Sequence, residues 1–269
     1  MKNKPSCTLL IPTYNWPEAL ALVLKSVERQ TVLPDEVMIA DDGSGESTRK
    51  VIEQFQQHFP VPLHHEWQPD QGFQKTLIVN KALAKAKGAY IIQSDGDVLL
   101  HRHFVEDHLD FAEPNSFVAG TRVILDKAFS QEVLEKGILS IPLFAKGKKN
   151  FFNGIRSKRL RNLMESRYKN TEKNIYYIKG CNMAFWLKDF IKVNGYNESI
   201  TGWGKEDSEL SIRLYNAQVQ KRYLKFGAIV YHLWHQEFSR DREQRNTDLM
   251  EKTIREKLAW CDKGIAQYL

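Results

Sequence analysis

Short apolar runs alternate along this chain with segments whose apolar residues recur at every third or fourth position. Cys7-Thr8-Leu9-Leu10-Ile11-Pro12 predicts a buried strand, ended by a proline that cannot donate to a central ladder. Asn15 predicts a helix cap and Pro17 a first turn, with Leu20, Leu24 and Val27 on one buried face. A Pro34-Asp35 turn leads into a second strand from Glu36 to Ala40, which runs into Asp41-Asp42-Gly43-Ser44. Val51, Ile52 and Phe55 carry a helix over Ser47 to Phe59, and Pro62 to Trp67 predicts a third strand. After Gln71-Gly72-Phe73, a helix rich in Ala and Lys runs to Lys87, where Gly88 ends it. Strand and helix thus alternate three times before residue 98, which implies a parallel, doubly wound sheet with right-handed crossovers.

The run Ala89-Tyr90-Ile91-Ile92-Gln93-Ser94-Asp95-Gly96-Asp97 organises the rest. Its apolar half suits a buried strand, and such a core tolerates no unpaired carboxylate, so the aspartates must emerge at the strand's C-terminal edge. Open α/β sheets bind ligands at that edge. Gly96 lets the backbone turn so that Asp95 and Asp97 address one centre, and hard oxygen ligands suit Mg²⁺ or Mn²⁺ holding a diphosphate. By itself Asp-x-Asp also describes a solvated turn. No Gly-x-Gly-x-x-Gly follows the first strand and no Walker loop occurs, which argues against a dinucleotide dehydrogenase and an ATPase.

In the second half, Ser116 to Ile124 predicts a strand, and Tyr176 to Trp186 one or two more, interrupted at Gly180-Cys181-Asn182, where glycine permits close approach of a sugar. Gly195-Tyr196-Asn197 ends a short helix. Gly202-Trp203-Gly204 sets an indole between flexible residues, an arrangement that presents its face to a sugar ring, the alternative being a core tryptophan after a turn. Glu206 and Asp207 open a helix through Leu210, Ile212 and Leu214; first-turn acids are also ordinary at a helix N-terminus. The apolar stretch Ala228 to Val230 ends in Tyr231-His232-Leu233-Trp234-His235. Asp241 to Leu269 predicts a helical tail that packs Leu249, Ile254 and Leu258.

With 269 residues, 42% hydrophobic and 27% charged, the chain is an ordinary globular α/β protein. Cys7, Cys181 and Cys261 form no CxxC pair and suggest neither a disulfide framework nor a zinc site. There is no apolar leader and no run long enough for a membrane span, so a cytoplasmic location is expected. The net charge of +6 is uneven: nine Lys or Arg face one acid, Glu165, between Lys146 and Lys169, a local +8 that leaves −2 elsewhere.

Ile11-Pro12-Thr13-Tyr14-Asn15, Ala40-Asp41-Asp42-Gly43-Ser44 and Asp95-Gly96-Asp97, in this order and spacing, resemble the nucleotide-sugar half of family 2 glycosyltransferases. Gly202-Trp203-Gly204-Lys205-Glu206-Asp207 is similar to the Trp-Gly-x-Glu-Asp acceptor motif of β-1,4-galactosyltransferases and bacterial chondroitin-polymerase-like enzymes. The resemblance covers roughly residues 6 to 236. It implies a GT-A fold, a Rossmann-like, mostly parallel central sheet flanked by helices, over residues 1–240, with a nucleotide-sugar half (6–125), a basic amphipathic insertion (126–175), an acceptor half (176–236) and a tail (241–269).

It further implies that Pro12, Thr13 and Tyr14 line the nucleoside pocket, that Asp42 accepts a hydrogen bond from the base, and that Asp95 with Gly96 meets the ribose. Asp97 would bind Mn²⁺ or Mg²⁺ with His232, His235 being second choice. Trp203, Gly202 and Asn182 would meet the acceptor sugar. An inverting transfer needs one base near the acceptor hydroxyl, for which Asp207 is expected, with Glu206 holding a hydroxyl. Tyr14 and Asp42 suit uracil, hence a UDP-sugar donor. The acceptor would be a glycan or lipid-linked glycan, a surface-glycan precursor such as lipopolysaccharide at the inner face of a bacterial membrane.

Phe152, Ile155, Leu160, Leu163 and Met164 recur among Lys148, Lys149, Arg156, Lys158, Arg159 and Arg161. That amphipathic pattern fits an anionic membrane surface, an acidic lipid-linked acceptor, or a solvated insertion packed on its own domain. No nucleic-acid motif accompanies the charge. Two other readings stay open: a sugar-1-phosphate nucleotidyltransferase, whose basic glycine-rich loop is missing after the first strand, and a non-enzymatic basic adaptor for membrane or nucleic acid, which leaves the carboxylate motifs idle.

Overall fold

A computed structural model of the chain describes residues 4–168, 176, 178–236 and 239–269. The elements run β1 (Cys7–Thr13), α1 (Pro17–Glu28), β2 (Glu36–Asp41), α2 (Glu46–Gln56), β3 (Leu63–Trp67), α3 (Lys75–Leu83), β4 (Tyr90–Gln93), β5 (Val98–Leu100), α4 (Phe104–Phe111), β6 (Ser116–Ala119), β7 (Val123–Leu125), α5 (Lys127–Lys136), β8 (Lys148–Lys149), α6 (Lys158–Tyr168), β9 (Met183–Trp186), α7 (Leu187–Lys192), α8 (Glu206–Asn216), β10 (Gln220–Tyr223), β11 (Val230–His232) and α9 (Glu243–Arg255). A seven-stranded sheet is ordered β10-β6-β9-β4-β1-β2-β3. It is the mostly parallel sheet expected, with β9 alone running against its neighbours β4 and β6.

Every residue of β1 is buried, because both faces of the sheet are covered. The alternation of the strand sorts them: Cys7, Leu9 and Ile11 pack with Leu20, Val23, Leu24 and Val27 of α1, whereas Leu10 packs with Ile78, Val79 and Ala82 of α3 and Leu210 of α8. Each buried leucine, isoleucine or valine among them contributes about 1.5–3 kcal/mol by leaving water. A smaller sheet, β5-β11-β7-β8, covers another face of α1 through Leu99, Val123, Tyr231 and Leu233 against Ala19 and Leu22.

Four sequence expectations change. Asn15 does not cap α1: its backbone is left-handed (φ 45°), and it ties two loops together by accepting from Gly45 N–H at 2.8 Å and donating its own N–H to Ser44 Oγ at 2.8 Å. The helix before Gly88 ends at Leu83. Gly88 serves strand packing instead, since a Cβ there would lie 2.3 Å from Thr8 N. The single strand over Ser116 to Ile124 is two, β6 and β7, in different sheets, parted where a Cβ on Gly120 would meet the Asn182 amide at 2.2 Å.

The basic insertion is woven into the small sheet through β8, while its residues 169–175 lie outside the described ones. The tail is part of the core: Ile265 is fully buried beside α3. In α9 the inward residues are Asn246 and Thr253, with Leu249 and Ile254 only half-buried, as is Leu258 beyond its end. No described helix is long and apolar enough to cross a membrane.

Candidate active site

A cleft of about 680 Å³ opens at the C-terminal ends of β1, β2 and β4, with the small sheet and the start of α8 as its far walls. Pro12, Thr13, Tyr14, Asp42, Asp95, Gly96 and Asp97 all line it. The turn after β4 leans on the end of β1: Gly96 N–H donates to Pro12 O at 2.8 Å, and a Cβ on Gly96 would come 2.7 Å from Thr13 Oγ1. Glycine is therefore required for contact between strands as well as for the turn. Asp42 is buried and accepts from Gln74 N–H and Gln68 Nε2, each at 2.7 Å. Burial raises its carboxyl to about 6 against those hydrogen bonds, with Asp70 and Asp41 adding to the rise. Tyr14 is exposed and donates its hydroxyl to Asp70. Asp41 turns away and is structural, accepting from Ser44 N–H and facing His65 Nε2 at 2.9 Å.

Asp97 meets the histidine that ends β11 and the one three residues later, with His232 Nε2 at 3.9 Å and His235 Nε2 at 3.4 Å. The ligand atoms of the three lie within 4.8 Å of one another. Each imidazole donates Nδ1–H to a backbone carbonyl, His232 to Leu233 and His235 to Gln236, both at 2.8 Å. That fixes the tautomer and leaves the Nε2 lone pairs toward Asp97. Asp97 Oδ1 is buried with no hydrogen-bond partner, and burial raises its carboxyl. A carboxylate whose Oδ1 is orphaned and faces His232 while Oδ2 faces His235 fits a divalent cation.

The far wall carries Glu206 and Asp207, delivered by the first turn of α8. Asp207 is held at both oxygens: Gly180 N–H donates to Oδ2 at 2.7 Å and Tyr196 O–H to Oδ1 at 2.9 Å. Gln93 Nε2 in turn donates to Tyr196 at 3.1 Å, so the terminal residue of β4 reaches Asp207 through one hydroxyl. Glu206 is buried, and its Oε2 has no partner. Burial, then the charge of Asp207, raises Glu206 to about 7.

Lys75, the first residue of α3, joins the two walls. Its ammonium lies 2.9 Å from Asp95 Oδ1. Burial works to lower its pKa, but Asp95, Asp207 and Glu206 together outweigh that and raise it. Nothing in the local pattern marks Lys75, because a lysine opening a helix reads as solvated; only the fold brings the acids to it.

Trp203 lines the cleft, with the Arg240 guanidinium 5.4 Å from its ring centroid. Two expected acceptor residues do not reach the cleft wall. Asn182 is fully buried, its Nδ2 donating to Thr121 and Ala228 carbonyls and its Oδ1 facing His108 Nε2, because it plugs the join between the sheets. Gly202 packs on Arg242, where a Cβ would come 2.8 Å from Cγ. Gly180 lines the cleft and packs closely on Asp207: a Cβ there would lie 2.4 Å from Oδ1. Arg122 and Lys179 line the cleft as cations that the sequence pattern did not single out, beside Lys149 of the basic stretch and Lys205 of the Gly-Trp-Gly motif.

A model described as glycosyl transferase family 2 matches residues 8–192, and one described as the N-terminal domain of galactosyltransferase matches residues 161–236. The chain is similar to a chondroitin synthase of Escherichia coli, 28% identical over 239 residues, which is 84% of this chain and 34% of that protein. It spans between about a quarter and a half of the length of the curated relatives it matches first. Among solved structures it is similar to the mannosyltransferase PcManGT from Pyrobaculum calidifontis in complex with GDP-Man and Mn²⁺, with TM-score 0.65, 19% identity, and 94% of this chain and 65% of that one covered. It is likewise similar to residues 1–349 of S. aureus TarS in complex with UDP, with TM-score 0.65, 16% identity, and 98% and 68% covered.

Proposed function

The chain belongs to glycosyl transferase family 2 and has the GT-A architecture, and from that premise we propose that its cleft moves a sugar, with inversion, from a UDP-sugar to a hydroxyl of a glycan or lipid-linked glycan. A nucleotidyltransferase and a non-enzymatic adaptor are set aside by the family. One observation carries the reading: a single cleft holds the Asp97, His232 and His235 cluster on one wall and Glu206 with Asp207 on the other.

The donor lies on the β1 side. Tyr14 stacks on the base, Asp42 accepts its N–H, and Asp95 meets the ribose with the oxygen that Lys75 leaves open. Uracil offers a single ring N–H to a carboxylate, which supports UDP, the nucleotide bound in the TarS structure. Asp97, His232 and His235 would hold the ion; two imidazoles favour Mn²⁺ over the harder Mg²⁺, and Mn²⁺ accompanies GDP-Man in PcManGT. When bound, the cation neutralises charge that develops on the departing diphosphate.

On the far wall Asp207 takes the proton of the acceptor hydroxyl as its oxygen attacks the anomeric carbon and the bond to the diphosphate breaks. Gly180 N–H and Tyr196 O–H keep that carboxylate from rotating away. Glu206, protonated up to near neutrality, donates to a sugar hydroxyl and fixes the ring. Trp203 offers its indole edge of the cleft to the acceptor sugar. The work is assigned to the cytoplasm, against the inner face of the membrane that carries the acceptor.

Release of nucleoside diphosphate from UDP-, GDP- and dTDP-sugars tests the reading. Turnover with a UDP-sugar, Mn²⁺ dependence and loss in Asp207→Asn are expected, with an anomeric configuration opposite to the donor's. Turnover unchanged in Asp207→Asn would overturn the assignment of the base.

A further inference from the structure

Helix α6 is built inside out. Leu163 is 66% exposed and Leu160 is exposed beside it, whereas Arg161 between them is 7% exposed, its guanidinium 5.5 Å from the Phe111 ring. A helix on a solvated surface would turn its leucines inward. The stretch before it repeats the anomaly: Phe144 is 86% exposed and Phe152 60%, with Phe151 and Phe152 stacked at 4.1 Å. So large an apolar display over some twenty residues marks a surface that something covers.

Charge identifies what. Arg156 is taken up by Asp107 at 2.8 Å and Lys158 by Asp110 at 2.8 Å, which anchor the segment to α4. Lys146, Lys149 and Arg159 are exposed and have no ion pair among the described residues. They lie in the same stretch of chain as the exposed aromatic and leucine side chains. A second copy of this face would set Lys146, Lys149 and Arg159 against their own copies, at a Coulomb cost that apolar contact must first overcome. Nucleic acid offers aliphatic leucines nothing to stack on. An anionic bilayer answers both features, taking the apolar side chains below its headgroups and the cations at them.

We propose that the surface formed by Phe144, Phe151, Phe152, Leu160 and Leu163, with Lys146 and Arg159, docks this chain on an anionic lipid surface. The surface adjoins the cleft mouth. Lys149, two residues before Phe151, lines the cleft, and Ser208 on the opposite lip donates Oγ–H to the carbonyl of Tyr176, itself exposed. Docking therefore turns the cleft toward lipid-borne hydroxyls. Only that last consequence rests on the glycosyltransferase reading.

Flotation of the full chain with phosphatidylcholine vesicles, with and without phosphatidylglycerol, tests it. Retention is expected only with phosphatidylglycerol and is expected to fall as salt rises. Lys146→Ala and Arg159→Ala should each lower the partition coefficient about fivefold. Phe152→Ser with Leu163→Ser should remove retention, while the melting temperature and nucleotide affinity stay those of the wild type. Absence of retention by folded wild type, or retention indifferent to both sets of variants, would overturn the proposal. So would a dimer in solution that Leu163→Ser dissociates, since that assigns the face to a second copy. Loss of nucleotide binding in the wild type would instead sink the functional reading and leave the vesicle result standing.

Discussion

The backbone N–H of Gly180 donates to Oδ2 of Asp207 at 2.7 Å, and a Cβ on Gly180 would sit 2.4 Å from Oδ1 of the same carboxylate. No side chain fits between them. Gly180→Ala must therefore displace Asp207, and a displacement of this size at a reacting group costs about 10²-fold in turnover. The expected outcome is a fall in kcat with nucleotide affinity unchanged. Unchanged turnover from a folded Gly180→Ala variant would separate Asp207 from the reaction.

Tyr196 is the second hold on that carboxylate. In Tyr196→Phe, Gln93 Nε2 keeps the Gly180 carbonyl at 3.2 Å, so little is left unsatisfied. Stability should fall by about 1 kcal/mol and kcat about tenfold, with KM for the donor unmoved. Steady-state kinetics against a denaturation curve checks the split; a rise in donor KM alone would place Tyr196 on the wrong wall.

Glu206 makes stability depend on pH. Burial, then Asp207, raises its carboxyl from 4.5 to about 7, so between those values the native state keeps a proton that the unfolded chain has lost. Its contribution is fully present below 4.5 and is lost as pH rises through 7. Relative to Glu206→Gln, the wild type should lose on the order of 3 kcal/mol across that window. Urea unfolding at stepped pH measures it, and parallel curves for the two proteins would contradict it.

Lys75 sits among three acids, and Lys75→Met leaves them facing one another. About 3 kcal/mol of stability should go at pH 8, the low end for a broken buried pair because both partners keep some solvent contact. The loss should shrink toward pH 5, where protonation relieves Glu206. Equal losses at both pH values would mean that Lys75 serves packing alone.

What was legible in the sequence follows from length and period. The strands β1, β2 and β4 are apolar runs closed by Pro, Asp or Gly, and α1 carries an unbroken buried face, so the donor wall could be placed residue by residue. The small sheet could not: β5, β7 and β11 have three residues each and β8 two, too few for a period. Its pairing nevertheless brings His232 and His235 jointly to Asp97, where the sequence ranked one above the other. Asn182 and Gly202 were misplaced because a polar residue or glycine beside a loop reads as available to ligand, whereas here each fills a gap between elements. Lys75 was invisible because its partners lie 20 or more residues away in the chain.

The central claim is that the aspartate turn after β4 holds a nucleotide through a cation. Calorimetric titration of UDP, GDP and dTDP into wild type and Asp97→Ala, each with and without Mn²⁺, measures it directly. Mn²⁺-dependent binding of UDP to the wild type, lost in Asp97→Ala, is expected. No binding of any nucleotide to folded protein, or binding indifferent to both Mn²⁺ and Asp97, would leave Asp95-Gly96-Asp97 as a turn between strands and nothing more.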